Sequence, residues 1–398
     1  MRRAARCARL LLALALSSTA APPFAGPTFV GPLVCADPSC PVQAPGGPAV
    51  NNSNFHLRDV NVGLAGDGFF YLTGTSTSAG DGYWSDVYGV VRMWRSQTLA
   101  PGSFEPGGRV VYNVTRDCPT CGDCVIPNTA ACPTPGQCAR VWAPEYHYLP
   151  STLAAVPRAG GSFIALHLHC KGGFSGVLAS TTGSPFGPYE AVNKGVHGGD
   201  VTLFAHANGT IYAGSSGPLM LSRLSEDLSV VEEQIVVGAA CDGDCSHTLI
   251  GFEGMQFMAR DGAYFLCASA YGNSTAHGGP RWPAIDSETA NSTIFYSTYC
   301  GRADDLRGPF VDPVTGDPGG WLSVPKGGHN SYFADAEENL FSTLWYGSSA
   351  RDMPAADAPL VDLPSLVSVG VVDGRLVATG APYARAALAP PGFALSTP

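Results

Sequence analysis

Three carboxylates in widely separated stretches stand at one distance from a hairpin turn. Counting back nine residues from the turn glycines Gly68, Gly209 and Gly262 reaches Asp59, Asp200 and Glu253, and the same count from Glu338 reaches His329. Carboxylates brought into one partly apolar pocket suit cleavage of a glycosidic bond: one, protonated, assists the leaving oxygen and another, ionised, activates water. Glu253 stands among Phe252, Met255 and Phe257, a desolvating setting that favours the protonated form. Asp59 follows Arg58 and precedes Asn61, a setting that suits the ionised form. The division expected is Glu253 as general acid and Asp59 as general base.

Such acids meet only if the elements carrying them converge. Short aromatic and β-branched runs recur between Asp-Gly, Asn-Gly and Gly-Gly turns, as in "AGDGFFYLTGT", "RAGGSFIALHL", "HANGTIYAGSS" and "ARDGAYFLCAS". These are hairpin signals. The 49 Gly and 33 Pro leave no sustained helical period, so the class is all-β: sandwich, barrel or propeller. In a propeller the first strand of each blade starts near the central axis, so equivalent positions of successive blades converge there. With "WAPEYHYLP" and "GGSFIALHL" counted as one blade, five hairpins centre near residues 70, 155, 205, 260 and 335, which predicts a five-bladed β-propeller.

The chain has 398 residues, 45% hydrophobic and 14% charged, ample for a large core and too apolar for disorder. Its 22 Lys and Arg are scattered through a chain of net charge -10. No basic stripe for a phosphate backbone exists, so nucleic acid is not the expected partner. Residues 1–20 combine Arg2, Arg3, Arg6 and Arg9 with an apolar run from Leu10 to Leu16 and small residues ending near Ala20. This is the pattern of a secretory signal peptide. No later stretch reaches membrane-spanning length, and a secreted, extracellular protein without a membrane partner is expected.

Five glycosylation sequons, at Asn51, Asn113, Asn208, Asn273 and Asn291, agree with export. So does cysteine usage. Of 13 cysteines, Cys7 leaves with the signal peptide, and the even remainder suits disulfide pairing. The cluster Cys118 to Cys138 contains no histidine, which favours disulfides there over zinc. Cys35 with Cys40 and Cys241 with Cys245 are neighbours that could pair.

The stretches "HLRDVNVGLAGDGFFYLTGT", "VWAPEYHYLP", "GVLASTTGSPFGPYE", "GGDVTLFAHANGTIYAGSSGP", "FEGMQF" and "GHNSYFADAEENLFSTLWYG" resemble, in order, the blade motifs of glycoside hydrolase family 43. That family of five-bladed propellers includes arabinanases, α-L-arabinofuranosidases and β-xylosidases. The resemblance runs from about residue 50 to about 378. It implies an inverting hydrolase of arabinose- or xylose-containing polysaccharides or oligosaccharides. In it Asp59 matches the general base, Asp200 the aspartate that tunes the acid's pKa and orients it, and Glu253 the general acid. His329 matches an axis histidine that in many members binds calcium or another ion, usually through water. Trp142 and Glu145, in "WAPE", match a motif that builds and lines the site; Phe252 and Trp345 are further substrate-binding candidates.

The chain departs from the family pattern in places. Val60 and Met255 stand where proline is usual, and "HANG" replaces an acidic turn; a diverged substrate pocket follows. The expected organisation is a signal peptide at 1–20, an N-terminal extension at 21–49, and the propeller at 50–385. A Cys-rich insertion at 113–140 interrupts the propeller and a tail at 386–398 follows it; a monomer is expected. Taken singly, each acid has a bland reading: Glu253 as a strand-end acid or ion-pair member, Asp200 as a turn cap. The shared spacing speaks against both. His167 and His169 alternate on one strand face, a spacing that can bind zinc, yet no third ligand is visible and a structural or subsite role is favoured. Trp84, Trp282, Trp345 and Tyr346 fit sugar stacking and core filling equally well. A propeller that binds carbohydrate without cleaving it is the alternative, since function belongs to sites and not to folds.

Overall fold

The hairpins expected from the turn signals are present, and each belongs to an antiparallel blade, four-stranded in blades one to four. In a computed structural model the residues described are 29–30, 56–77, 89–99, 103–105, 108–117, 140–150, 161–169, 174–237, 251, 253–271, 296–324, 328–345 and 364–379. A two-residue strand, β1 (Phe29–Val30), comes first. Blade one is β2 (His56–Leu64), β3 (Phe70–Thr77), β4 (Val90–Ser96) and β5 (Arg109–Asn113). The four-residue helix α1 (Val114–Asp117) follows it. Blade two is β6 (Arg140–Leu149), β7 (Gly161–His169), β8 (Ser175–Ser180) and β9 (Tyr189–Val196). Blade three is β10 (Gly199–Ala205), β11 (Ile211–Ser216), β12 (Met220–Leu224) and β13 (Val231–Val236).

Blade four is β14 (Glu253–Arg260), β15 (Ala263–Tyr271), β16 (Tyr296–Ala303) and β17 (Trp321–Val324). Blade five is β18 (Tyr332–Ala334), β19 (Leu340–Trp345) and β20 (Pro364–Val372), with β21 (Arg375–Ala378) on the free edge of β20. That edge also pairs with β1, Phe29 opposite Val367 and Val30 opposite Leu366. Chain from the segment expected as an N-terminal extension therefore completes the last blade. Among the described residues no helix is long and apolar enough to cross a membrane.

Both faces of every blade are covered by neighbours, which explains why the strands read as nearly continuous apolar runs. The period of two sends alternate residues to opposite interfaces. On β3, Tyr71 joins Tyr146, Ile164 and Leu166 between blades one and two, whereas Phe70 and Leu72 join Leu366 toward blade five. On β15, Leu266 packs with Phe204 and Met255 toward blade three, and Phe265 and Cys267 with Leu340 and Val367 toward blade five. The fifth interface, between blades two and three, gathers Phe163, Ala165, Val201 and Leu203. Five such interfaces close the ring.

One disulfide lies within the described residues. Cys267 and Cys300 are direct partners on β15 and β16 and are buried. The pairs Cys35 with Cys40 and Cys241 with Cys245, and the cluster from Cys118 to Cys138, lie outside the described residues.

Candidate active site

The inner strands share one local irregularity. A register shift falls between Arg58 and Asn61, Trp142 and Glu145, Gly199 and Thr202, and Glu253 and Gln256. At each, one residue adopts positive φ: Asp59 at 51°, Ala143 at 43°, Asp200 at 48° and Gly254 at 59°; His329, leading into β18, matches them at 50°. These are β-bulges with a left-handed first residue, a device that re-aims a side chain out of the sheet. Non-glycine residues held there store backbone strain, which collects at functional sites.

The bulges correct one reading of the sequence. Asp59, Asp200 and His329 occupy the same structural position, but the fourth blade puts Gly254 there, and Glu253 stands one residue earlier. The cause is the hairpin turn. Blades one, three and five leave five residues between the last inner-strand pair and its partner, 65–69, 206–210 and 335–339. Blade four leaves two, Asp261 and Gly262, both at positive φ, a type I′ turn. From bulge to turn residue the count is nine for 59 to 68, 200 to 209 and 329 to 338, but eight for 254 to 262. Glycine is required at the bulge, because a Cβ on Gly254 would lie 2.9 Å from Cα of His329. The acid therefore takes the preceding place, opposite Ser269, as Arg58 stands opposite Thr75.

Asp59 is buried, with Oδ2 accepting the Thr75 hydroxyl at 2.5 Å and Oδ1 lying 3.2 Å from Nδ1 of His329. Burial pushes its carboxyl up and nearby Asp200 adds to that, while His329, the Thr75 bond and Arg58 pull it down without cancelling the rise. His329 is buried too, which alone would lower its pKa. The carboxylates of Asp59, Asp200, Glu253 and Glu145, in that order, outweigh burial and raise it to about 9. That shift favours the cationic imidazole beside the Asp59 carboxyl. His329 therefore lies within electrostatic reach of all three candidate acids.

The positions of Asp200 and Glu253 are coupled through the backbone. Oδ2 of Asp200 accepts the N–H of Gly254 at 3.1 Å, which fixes the residue next to Glu253. The second strands supply small hydroxyls that bind the bulge of the following blade. Thr75 accepts the N–H of Ala143 at 2.7 Å, Ser216 that of Met255 at 3.2 Å and Ser269 that of His329 at 2.5 Å; Thr343 donates to the carbonyl of Val60 at 2.5 Å.

Of the other candidates, Trp142 is half-buried immediately before the blade-two bulge. Glu145 is buried, with Oε1 accepting from Nε2 of Gln256 at 2.5 Å and Oε2 lying 3.3 Å from Nε2 of His147. Blades two and four are not neighbours in the ring, so the Glu145 to Gln256 bond links the inner strands of non-adjacent blades. Phe252, Trp84, Trp282 and Tyr346 lie outside the described residues, as do the side chains of Trp345 and His169. Met255 is fully buried in the interface between blades three and four, and its N–H, which proline would lack, makes the bond to Ser216. Thr75, Arg58 and Gln256 were not among the candidates; their signal is position relative to the bulge, which the sequence does not display.

An ion at His329 would need donors from the residues around it. Nε2 of His329 is buried with no hydrogen-bond partner, the kind of orphan atom that a ligand can satisfy. The imidazolium, however, carries a proton on each nitrogen and repels a cation. Among the described residues no three His, Cys, Asp or Glu side chains are grouped to hold a metal. The donor set does not fit a directly coordinated ion, and the site's chemistry is derived without one.

No family model and no curated protein matches the sequence. Solved structures do. The chain superposes on an exo-1,5-α-L-arabinanase from a bovine ruminal metagenomic library with a TM-score of 0.53, at 16% identity over 82% of this chain and 98% of that one. A GH43_1 enzyme from Xanthomonas citri gives 0.56, at 13% identity over 86% and 96%; that enzyme has also been solved complexed with xylotriose. The GH43 protein BlXynB from Bacillus licheniformis gives 0.52, at 15% identity over 82% of this chain, which spans 55% of that protein. The fold is thus the five-bladed propeller seen in family 43 glycoside hydrolases.

Proposed function

We propose that this chain is a secreted, inverting glycoside hydrolase acting on arabinose- or xylose-containing oligosaccharides or polysaccharides. The observation that carries the reading is that Asp59 stands 3.2 Å from His329 while Asp200 accepts the N–H of the residue next to Glu253. Glu253 gives its proton to the leaving oxygen as the bond from the anomeric carbon to that oxygen breaks. Water attacks the opposite face, its oxygen bonds to the anomeric carbon, and Asp59 takes the proton released. The imidazolium of His329 and the hydroxyl of Thr75 hold the carboxylate of Asp59 in place and favour its ionised form against burial. Asp200, through the N–H of Gly254, holds the acid's strand against its own.

The sugar class is supported by likeness of fold to enzymes described as arabinanase and GH43. Nuclear magnetic resonance of the first-formed product from aryl arabinofuranosides and aryl xylosides tests the reading. Inverted anomeric configuration, with loss of turnover in Glu253→Gln and Asp59→Asn, is expected. Retained configuration would overturn inversion. Sugar binding without turnover in the unaltered chain would instead favour a carbohydrate-binding propeller.

A further inference from the structure

Blades one, three and four tie their neighbour's bulge with a small hydroxyl at one position, opposite the residue before their own bulge: Thr75, Ser216 and Ser269. Blade five uses Thr343, two residues earlier along its strand. In blade two the position of the first three is His167. It stands opposite Trp142, the residue before that blade's bulge, as Thr75 stands opposite Arg58. Its Nδ1 lies 2.6 Å from Oγ of Ser175, its direct partner on β8. Ser175 in turn donates its hydroxyl hydrogen to the carbonyl of Gly198. A serine hydroxyl has one hydrogen to give, so the imidazole is the donor and carries its proton on Nδ1.

Gly198 leads into the bulge of Asp200. Its φ is +95°, and a Cβ there would lie 2.4 Å from the backbone oxygen of Ser216, so the carbonyl is pinned between blade two and the body of blade three. Two residues on, Oδ2 of Asp200 accepts the N–H of Gly254, and Glu253 precedes that glycine. A second tie between these blades, from the N–H of Leu203 to Nε2 of His147 at 3.2 Å, holds the middle of β10 and not its bulge.

We propose that His167 is a positioning residue for the Asp200 and Glu253 pair, acting through Ser175 and the Gly198 carbonyl; this rests on the reading of those acids as catalytic. The other blades reach the next bulge in one hydrogen bond. The blade that must place Asp200 does so in two, with the imidazole as the first donor. A structural role alone would ask only for the ring's volume, whereas positioning asks for its N–H.

The full chain carrying His167→Phe, His167→Asn or Ser175→Ala separates the two. Asparagine presents an amide N–H near the place of Nδ1, and phenylalanine keeps the ring without a donor. Turnover of an aryl glycoside and hydrogen exchange at the Gly254 amide are the readouts. His167→Phe and Ser175→Ala are expected to lower kcat on the order of 10- to 100-fold with KM nearly unchanged, and to speed exchange at Gly254. His167→Asn is expected to stay near the unaltered chain in both. If His167→Phe leaves Gly254 exchange unchanged, or His167→Asn falls as far as His167→Phe, the proposal is wrong. Should His167→Phe not fold, Ser175→Ala removes the relay with a smaller change of volume and decides in its place. Failure of the unaltered chain to cleave any glycoside would overturn the proposed function, while Gly254 exchange would still judge the relay.

Discussion

Nδ1 of His329, entering the fifth blade, lies 3.2 Å from Oδ1 of Asp59 in the first. The two residues are brought together only by closure of the ring, and each is held by a hydroxyl: Thr75 donates to Asp59, and Ser269 accepts the backbone N–H of His329. The candidate base is therefore assembled from three blades and depends on the whole fold.

Thr75 serves two partners with one oxygen, donating to Asp59 and accepting from Ala143. Thr75→Val keeps the shape and removes both bonds. Leaving the buried Ala143 N–H unsatisfied is expected to cost about 1–3 kcal/mol, and kcat is expected to fall, while Thr75→Ser retains most of both. Thermal unfolding and steady-state kinetics of the two variants check this; equal behaviour of Val and Ser would refute it.

Gly254 combines a φ of +59° with close approach to His329. Gly254→Ala is expected to lose about 1–2 kcal/mol from the left-handed backbone alone, and more from the contact with Cα of His329. Activity should fall further than that of Gly68→Ala, where φ is also positive and a Cβ would meet nothing within 4 Å. Equal effects of the two substitutions on turnover would contradict the packing argument.

Met255 faces the interface between blades three and four, not the axis. Met255→Leu is expected to cost less than about 1.5 kcal/mol and to leave the ratio of turnover on arabinosides and xylosides unchanged. A shifted ratio would show that the residue reaches the sugar.

Away from the site, Asp312 is buried beside Arg375. Burial alone would raise its carboxyl, but bonds from Arg375, the Val314 N–H and the Thr315 hydroxyl hold it below its usual value. A depressed folded pKa contributes stability that is present above the unfolded value, about 3.9, and is lost as pH falls through the folded one. Arg375→Met removes the main bonds, so acid unfolding followed by circular dichroism should begin at higher pH than in the unaltered chain. Superimposable acid transitions would exclude this role for the pair.

The hairpins of blades one, three and four were legible because Asp-Gly and Asn-Gly declare a reversal locally, and because strands covered on both faces read as apolar runs. The register of the acids was legible only in part. Asp59, Asp200 and His329 share one left-handed backbone position, as the spacing suggested. Glu253 matched the count because its turn glycine follows the last strand pair two residues sooner, its inner strand runs one residue longer, and the acid stands one place before the bulge, a compensation that turn counting cannot reveal. The sequence does carry the clue that Gly254, following Glu253, can take positive φ without strain. Thr75, Gln256 and Ser269 stayed unseen because their roles arise across blades, where chain separation hides proximity. Met255 was expected to desolvate Glu253 because the two are close in sequence, yet it packs into the core between blades three and four.

The central claim, that Glu253 protonates the leaving group while Asp59 activates water, is tested most directly by how Glu253→Gln depends on the leaving group. Initial rates would be measured on a dinitrophenyl glycoside, which needs no proton to depart, and on the matching oligosaccharide, which does. The expected result is a loss on the order of 10²- to 10⁴-fold on the oligosaccharide, with little loss on the dinitrophenyl substrate, whereas Asp59→Asn loses activity on both. Equal losses on the two substrates for Glu253→Gln, or undiminished turnover by Asp59→Asn, would contradict the assignment.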